Sequence, residues 1–491
     1  MMNDAPDDTV TSDSDADRAA VAAAVERARH ATTRLTALGR TGRASLLDDL
    51  ADALDARRDD IVEAADAETA LGPTRLTGEL ARTSYQFRFF AAVLREGSYL
   101  EATIDHAGPT PMGPRPDLRR MLVPVGPVAV YAASNFPLAF SVPGGDTVSA
   151  LAAGNGVVVK VHPAHPRTSE LVGGVIAQLA ADAVTLVHGF GAGRALVQEP
   201  GIRAASFTGS IRGGRALADL AAARADPIPF FGELGSVNPV LVTPAAAEGR
   251  GVEIAAGLAA SVTLGGGQFC TKPGVVLLPA GGAGDALVEH LRAELARVAP
   301  KQALTHSMAD AYAAGVAERA ADPRAIPLLA GTAEPGWTTP ALIEVPVGGL
   351  GGVLGEECFG PLTVVARYED DAEAEQLIAE LPGSLTGTLL LGRDAGSADA
   401  DEGVPRARQA LRSRSGRLVY NGYPTGVAVS WAQHHGGDWP STNSQFTSVG
   451  AGAIRRFLKP VAWQDAPQGE LPPELRDGDA GVPRRVDGVL R

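Results

Sequence analysis

Pro127-Val128-Ala129-Val130-Tyr131 and, one helix's length further on, Gly156-Val157-Val158-Val159-Lys160-Val161 are near-continuous apolar runs. Each is too short for a helix and rich in β-branched residues, so each predicts a strand buried on both faces. Weaker runs follow at Val184-Thr185-Leu186-Val187, Ala204-Ala205-Ser206-Phe207 and Ile228-Pro229-Phe230-Phe231, with helix-like stretches between them, notably over 169–181 and 212–224. Strands alternating with helices at this spacing predict right-handed βαβ units and a doubly wound parallel sheet, the α/β class. Such a sheet takes a nucleotide beyond the carboxyl ends of its strands. No GxGxxG follows the first strand, and the best glycine cluster, Gly189-Phe190-Gly191-Ala192-Gly193, has the wrong spacing. Phe207-Thr208-Gly209-Ser210 is a better phosphate contact, a hydroxyl at a predicted helix start.

Upstream of these strands, residues 17–100 carry Ala and Leu at three- and four-residue spacing among Arg, Asp and Glu, which reads as a layer of amphipathic helices. Residues 103–120 turn to Gly and Pro and suit an extended excursion or hairpin arm. The first 16 residues are acidic and polar, and are expected as a disordered tail. Downstream, a helix-like stretch over 252–264 leads into a glycine-rich turn. Val275-Val276-Leu277-Leu278 leaves that turn as a strand, and 282–411 mix helices with short strands, consistent with a second α/β domain. Beyond Asp465 the chain is rich in Pro, Gly and charge, and is expected to be extended or partly disordered.

A chain of 491 residues is too long for one core and predicts two or three domains. Its net charge of −14 argues against a nucleic-acid groove or an anionic membrane surface as partner. Two cysteines cannot staple a protein of this size, and no Cys/His cluster has metal-ligand spacing. With neither a signal-peptide pattern nor an apolar run of membrane-spanning length, a cytoplasmic location in a reducing compartment is expected.

The chemistry concentrates in the glycine-rich turn, Gly265-Gly266-Gly267-Gln268-Phe269-Cys270-Thr271. Glycines there permit positive φ and the close approach of a ligand or another chain segment. A cysteine on such a turn can be approached from solvent. A thiol needs a base, and the isolated acid of Phe230-Phe231-Gly232-Glu233-Leu234-Gly235 has apolar neighbours that would raise its pKa toward neutrality. The second cysteine, in Glu356-Glu357-Cys358-Phe359-Gly360-Pro361, reads as structural.

Taken together and in order, Ser134-Asn135-Phe136-Pro137-Leu138, Lys160, Phe207-Thr208-Gly209-Ser210, Glu233-Leu234-Gly235, Gly267-Gln268-Phe269-Cys270 and Glu357-Cys358-Phe359-Gly360-Pro361 resemble the aldehyde dehydrogenase superfamily, from the N-terminal helices to about Asp465. Glu233-Leu234-Gly235-Ser236-Val237-Asn238-Pro239, Cys270-Thr271-Lys272-Pro273-Gly274 and Tyr420-Asn421-Gly422-Tyr423-Pro424-Thr425-Gly426-Val427 look like the branch holding 2,5-dioxovalerate (α-ketoglutarate semialdehyde) and NADP-dependent fatty aldehyde dehydrogenases. The resemblance implies two doubly wound α/β domains plus a β oligomerisation arm. A cofactor-binding domain would span 17–102 and 124–233, a bridging arm 103–123, a catalytic domain 234–440, and a C-terminal return segment and tail 441–491. At least a homodimer follows, or a homotetramer.

By position, the resemblance makes Cys270 the nucleophile that adds to the aldehyde carbon. Asn135 and the Cys270 backbone N–H form the oxyanion hole. Hydride passes to the nicotinamide, and Glu233 activates the water that hydrolyses the resulting thioester. Lys160 and Glu357 meet the cofactor riboses, Ser210 (with Gly209) the pyrophosphate, and Phe359 packs near the nicotinamide. NAD-preferring relatives commonly carry Glu three residues beyond the lysine. Pro163 stands there instead, so nothing repels a 2′-phosphate; NADP is expected, with NAD possible and Arg194 and Arg212 as candidate phosphate partners. The expected reaction is NAD(P)-dependent oxidation of an aldehyde to an acid, with 2,5-dioxovalerate the leading substrate and a long-chain aldehyde the alternative. The substrate's carboxylate calls for an Arg or Lys at the pocket mouth, and sequence names only His434 and His435 near the pocket. Glu233 argues against a thioester-forming acylating enzyme, and Cys270, Glu233 and Asn135 together argue against a non-catalytic nucleotide binder.

Overall fold

The computed structural model describes residues 14–331, 334–346, 349–392, 403–478 and 480–491. The first predicted strands are Val128–Tyr131 and Val157–Lys160, joined by Val184–Val187, Ala204–Thr208 and Phe230–Glu233. They form one parallel five-stranded sheet in the order Val184, Val157, Val128, Ala204, Phe230 by first residue. The last strand starts at Phe230, two residues later than the apolar run 228–231 suggests, because Pro229 has no N–H to give to a ladder.

Alternation explains why these strands are mostly apolar on both faces. Val128, Val130, Val157 and Val159 point into a core shared with helices Gly39–Ala56, Pro73–Glu96 and Gly145–Ala153. Ala129, Tyr131 and Val158 point the other way, against helices Asp15–Ala37 and Phe190–Gln198. Successive side chains leave opposite faces of a strand, so a sheet covered on both sides must be apolar at most positions.

A second sheet of seven strands repeats the design. Its centre is Val275–Pro279, flanked by Val240–Val242 and Leu362–Tyr368, with Ser384–Leu390 and Ser415–Tyr420 beyond on one side. On the other side lie Ala341–Val345 and the antiparallel edge strand Ile326–Ala330. Leu241, Val275, Leu277 and Val364 face one core; Val240, Val276, Leu278 and Val365 face another beneath helices Pro244–Thr263 and Gly282–Ala296. The first of those helices begins well before the predicted 252, because Thr243 caps it and Pro244 takes its first position.

A third, five-stranded sheet shares the core of the first through Ile104, Leu122 and Leu458. Leu118–Pro124 pairs antiparallel with Leu458–Gln464 and with Thr103–Asp105, which runs parallel to Arg485–Val486 of the chain's end. A short hairpin, Gly108–Thr110 with Gly113–Arg115, projects from it and carries the exposed Met112 at its tip.

Two expectations need correction. Of the tail expected over 1–16, residues 1–13 lie outside the described residues, but Ser14 caps the first helix and Asp15 opens it: the Ser14 hydroxyl accepts from the Asp17 N–H in a capping box. The segment beyond Asp465 is packed rather than loose. Leu471 and Leu475 are buried, Arg119 donates to the Leu475 carbonyl at 2.7 Å, and Val486 pairs with Ile104. Its Pro- and Gly-rich composition hides a few apolar anchors and buried arginine contacts. Among the described residues no helix is long and apolar enough to cross a membrane.

Candidate active site

Helix Pro244–Thr263 gives way to a tight turn, Leu264–Gly267, in which Gly265, Gly266 and Gly267 all take positive φ. Gly267 is the one no other residue could replace, since a Cβ there would lie 2.3 Å from the Gly360 carbonyl carbon. The turn therefore nests against Gly360-Pro361 and delivers Cys270 to the junction of the two large sheets. Asn238, fully buried, fixes it from below. Its side-chain amide donates to the carbonyls of Cys270 (2.7 Å) and Lys272 (3.0 Å), and its oxygen accepts from Thr386 of the neighbouring strand.

Across the junction Asn135 follows strand Val128–Tyr131, and its amide nitrogen donates to the Gln268 carbonyl at 2.9 Å. One helix, Pro73–Glu96, holds the loop that carries it. The Arg75 guanidinium donates to the Asn135 carbonyl at 2.6 Å, and the buried Glu79 carboxylate accepts from the backbone N–H groups of Leu138 (2.8 Å) and Ala139 (2.9 Å). Arg75 also lies about equally over the rings of Phe136 (5.1 Å) and Phe269 (5.2 Å), tying the two loops together. With one amide hydrogen engaged by Gln268, Asn135 keeps a second to offer the cavity.

Glu233 is the last residue of strand Phe230–Glu233. Its Oε2 is buried with no hydrogen-bond partner. Burial raises its pKa well above the usual carboxylate range, opposed by the positive charge of Arg456 and a hydrogen bond from Ser448. His435 stands between acid and thiol: its Nε2 is 3.9 Å from Glu233 Oε2 and 3.8 Å from Cys270 Sγ. Burial, reinforced by Arg417 and Arg82, pushes the His435 pKa down to about 3, so the contact with Glu233 joins a neutral imidazole to the acid. The Cys270 thiol is pushed up to about 12 by burial and then by the charges of Glu233 and Glu357. It rests as a thiol at neutral pH, and the arrangement can do chemistry only by moving its proton to a neighbouring base.

These groups line a cavity of about 250 Å³. It brings together seven of the residues picked out from sequence: Asn135, Gly209, Ser210, Glu233, Cys270, Glu357 and Phe359. An adjoining cleft of about 630 Å³ shares Ser210, Gly235 and Glu357 with it. Ser210 caps helix Ile211–Ala222, accepting from the Gly213 N–H at 3.2 Å. Gly235 opens the floor between the two spaces, because a Cβ there would lie 2.4 Å from Glu357 Oε2. Burial raises the Glu357 pKa above the usual carboxylate range, opposed by Lys272, whose buried ammonium donates to the Leu362 carbonyl at 2.6 Å.

Lys160, Pro163, Arg194 and Arg212 line neither space. All four stand at or just beyond carboxyl ends of the five-stranded sheet, but the Lys160 ammonium lies 4.9 Å from the centre of the exposed Phe190 ring, and the other three are exposed. Of the two histidines, only His435 reaches the cavity. Sequence reasoning missed Arg75, Glu79, Asn238 and Lys272. Asn238 and Lys272 stood inside quoted motifs, whereas nothing marks Arg75 and Glu79 within an amphipathic helix. Cys358 is buried in the core beneath the seven-stranded sheet.

The family model for the aldehyde dehydrogenase family matches residues 1–437. The chain is 44% identical to alpha-ketoglutaric semialdehyde dehydrogenase 2 of Azospirillum brasilense, over 99% of this chain and 93% of that protein. It is 40% identical to alpha-ketoglutaric semialdehyde dehydrogenase of Acinetobacter baylyi, over 91% and 87%. Among solved structures, NADP-dependent glyceraldehyde-3-phosphate dehydrogenase from Bacillus halodurans, complexed with NADP, superposes with a TM-score of 0.76 at 21% identity, covering 91% of this chain and 92% of that one. A thiol, a buried carboxylate and an asparagine amide converge at the junction of two doubly wound sheets, and with relatives this similar along nearly the whole length, the chain belongs to the aldehyde dehydrogenase family.

Proposed function

We propose that this protein oxidises 2,5-dioxovalerate to 2-oxoglutarate with NADP. The observation that carries the chemistry is the convergence of Cys270, His435 and Glu233 within 4 Å steps of one another. The substrate rests on the two semialdehyde dehydrogenases that match along nearly the whole chain. Cys270 Sγ gives its proton to the base beside it and bonds to the aldehyde carbon. The second amide hydrogen of Asn135 and the Cys270 N–H stabilise the oxygen as it gains charge. Glu233 later takes a proton from the water that attacks the thioester, releasing the acid and restoring the thiol.

The residues present suit a nicotinamide dinucleotide. A helix N-terminus capped by Ser210 suits a pyrophosphate, and the absent Cβ of Gly235 leaves room beside Glu357. Bound there, the nicotinamide supplies the acceptor for the hydride that leaves the substrate's carbon. Pro163 in place of an acid, with Arg194 and Arg212 exposed beyond neighbouring strands, supports NADP over NAD. Lys160 and Glu357 are assigned to the riboses and Phe359 to the nicotinamide side. Assembly as a homodimer or homotetramer is supported by the edge strand Leu458–Gln464, which among the described residues is paired on one side only and leaves alternate backbone groups for a second copy.

Cofactor reduction followed with 2,5-dioxovalerate and a long-chain aldehyde, each with NAD and NADP, tests the reading. A higher kcat/KM for the dioxovalerate with NADP is expected, and preference for the long-chain aldehyde overturns the substrate. Asn135→Ala is expected to lower kcat about 10²–10³-fold with a smaller change in KM, the mark of a donor used mainly in the transition state. Gly235→Ala displaces Glu357, and a fluorescence titration should show NADP binding at least about tenfold weaker; unchanged binding removes Gly235 from the cofactor site.

A further inference from the structure

The motif Tyr420 to Val427 has so far been given no task. Its last residues lie against the cysteine turn, with the Gly426 N–H donating to the Thr271 hydroxyl at 3.3 Å. Two arginines hold this loop. Arg417, from strand Ser415–Tyr420, donates to the carbonyls of Gly426 (2.9 Å) and Pro424 (2.5 Å). Arg82, from helix Pro73–Glu96, donates to the Val427 carbonyl and lies 5.5 Å from the centre of the Phe140 ring, which lines the cavity.

Neither cation is in a close ion pair among the described residues; the carboxyl whose charge acts on Arg82 is Glu79, one turn earlier on the same helix. Arg82 keeps Nε and Nη2 buried without a hydrogen-bond partner, and Arg417 keeps Nε so. Both charges are felt at the Cys270 thiol. Buried guanidinium N–H groups without a partner are destabilising, and a charge-assisted pair with an arriving carboxylate relieves that. Two such cations near the nucleophile, behind the lining of a cavity whose own charged side chains are the acids Glu233 and Glu357, are explained if an anion arrives with the substrate.

We propose that Arg82 and Arg417 form the site that receives the carboxylate at the far end of an aldehyde-acid substrate. The inference rests on the reading of this protein as an aldehyde dehydrogenase acting on a semialdehyde, and it names the cationic clamp that sequence alone did not. The aldehyde carbon bonds to Cys270 while the other end of a five-carbon chain reaches past Phe140 toward the unpaired guanidinium nitrogens. A long aliphatic aldehyde would leave those nitrogens unsatisfied and is disfavoured for that reason.

The test compares three aldehydes of equal length: 2,5-dioxovalerate, 5-oxopentanoate and pentanal. The wild-type protein, Arg82→Met, Arg82→Lys and Arg417→Met are assayed with each. Both methionine variants are expected to raise KM at least about tenfold more for the two carboxylates than for pentanal, with Arg82→Lys recovering part of that difference. Equal losses on all three substrates would mean that the arginines only hold the loop, and unchanged kinetics on the carboxylates would mean that they touch nothing; either result overturns the proposal. A wild-type preference for 5-oxopentanoate over the dioxovalerate would instead remove the 2-oxo substrate while leaving the clamp intact.

Discussion

Cys270→Ala abolishes cofactor reduction, with turnover down by on the order of 10⁴-fold or more, while NADP still binds. The two outcomes separate because the cysteine sits on the Gly267 turn, whereas the residues assigned to the cofactor, Ser210, Gly235 and Glu357, sit on other loops and line the adjoining cleft as well. Removing one sulfur from a half-buried turn leaves the Asn238 bonds to the turn's carbonyls in place, so the variant should fold. A companion measurement reads the resting state of the thiol. Burial pushes the Cys270 pKa up to about 12, and ionisation is a loss of a proton, so the thiolate fraction grows tenfold per pH unit below that value. Alkylation by iodoacetamide should therefore keep accelerating from pH 7 to pH 10 without a plateau. A plateau near neutrality would mean that the free enzyme holds a ready thiolate and that His435 and Glu233 have no proton to take.

Much of this site was legible in the sequence, for a physical reason. Residues that must touch one small molecule are restricted in type and come with turn chemistry that betrays them. Gly267 shows that the backbone must come close to something, Cys270 and Glu233 are isolated reactive groups in apolar or glycine-rich settings, and Ser210 sits where a strand yields to a helix. The strands were legible too, because burial on both faces leaves few polar positions, such as Thr185 and Ser206, to confuse the pattern. What stayed hidden is what acts at long range. Glu79 lies 59 residues from the Leu138 N–H it accepts, and Arg82 lies 345 residues from the carbonyl it binds. On a helix already rich in Arg and Glu, nothing local separates a solvated charge from one that closes an active site. The C-terminal segment misled for the converse reason: its composition is that of a loose tail, and its order comes from contacts to Arg119 and Ile104, more than 350 residues earlier.

Glu233→Gln should stall the enzyme after a single turnover's worth of oxidation. Gln fills the same space at the end of strand Phe230–Glu233 and cannot accept a proton from water. A rapid-mixing experiment then shows a burst of one equivalent of reduced cofactor per active site, followed by a steady state about 10²–10⁴-fold slower than wild type. Intact-mass analysis of the stalled protein finds the acyl group on Cys270. The pH profile supplies an independent reading. Glu233 works as a base only when ionised, and burial raises its pKa, so wild-type kcat falls as pH falls through that raised value rather than through the ordinary carboxylate range. In the Gln variant this acid limb should vanish. Loss of the burst together with the steady state would move Glu233 earlier in the cycle, to the step in which Cys270 gives up its proton, with His435 as the bridge between them at 3.8 and 3.9 Å. Undiminished steady-state turnover would falsify the assignment of Glu233 as the base for hydrolysis.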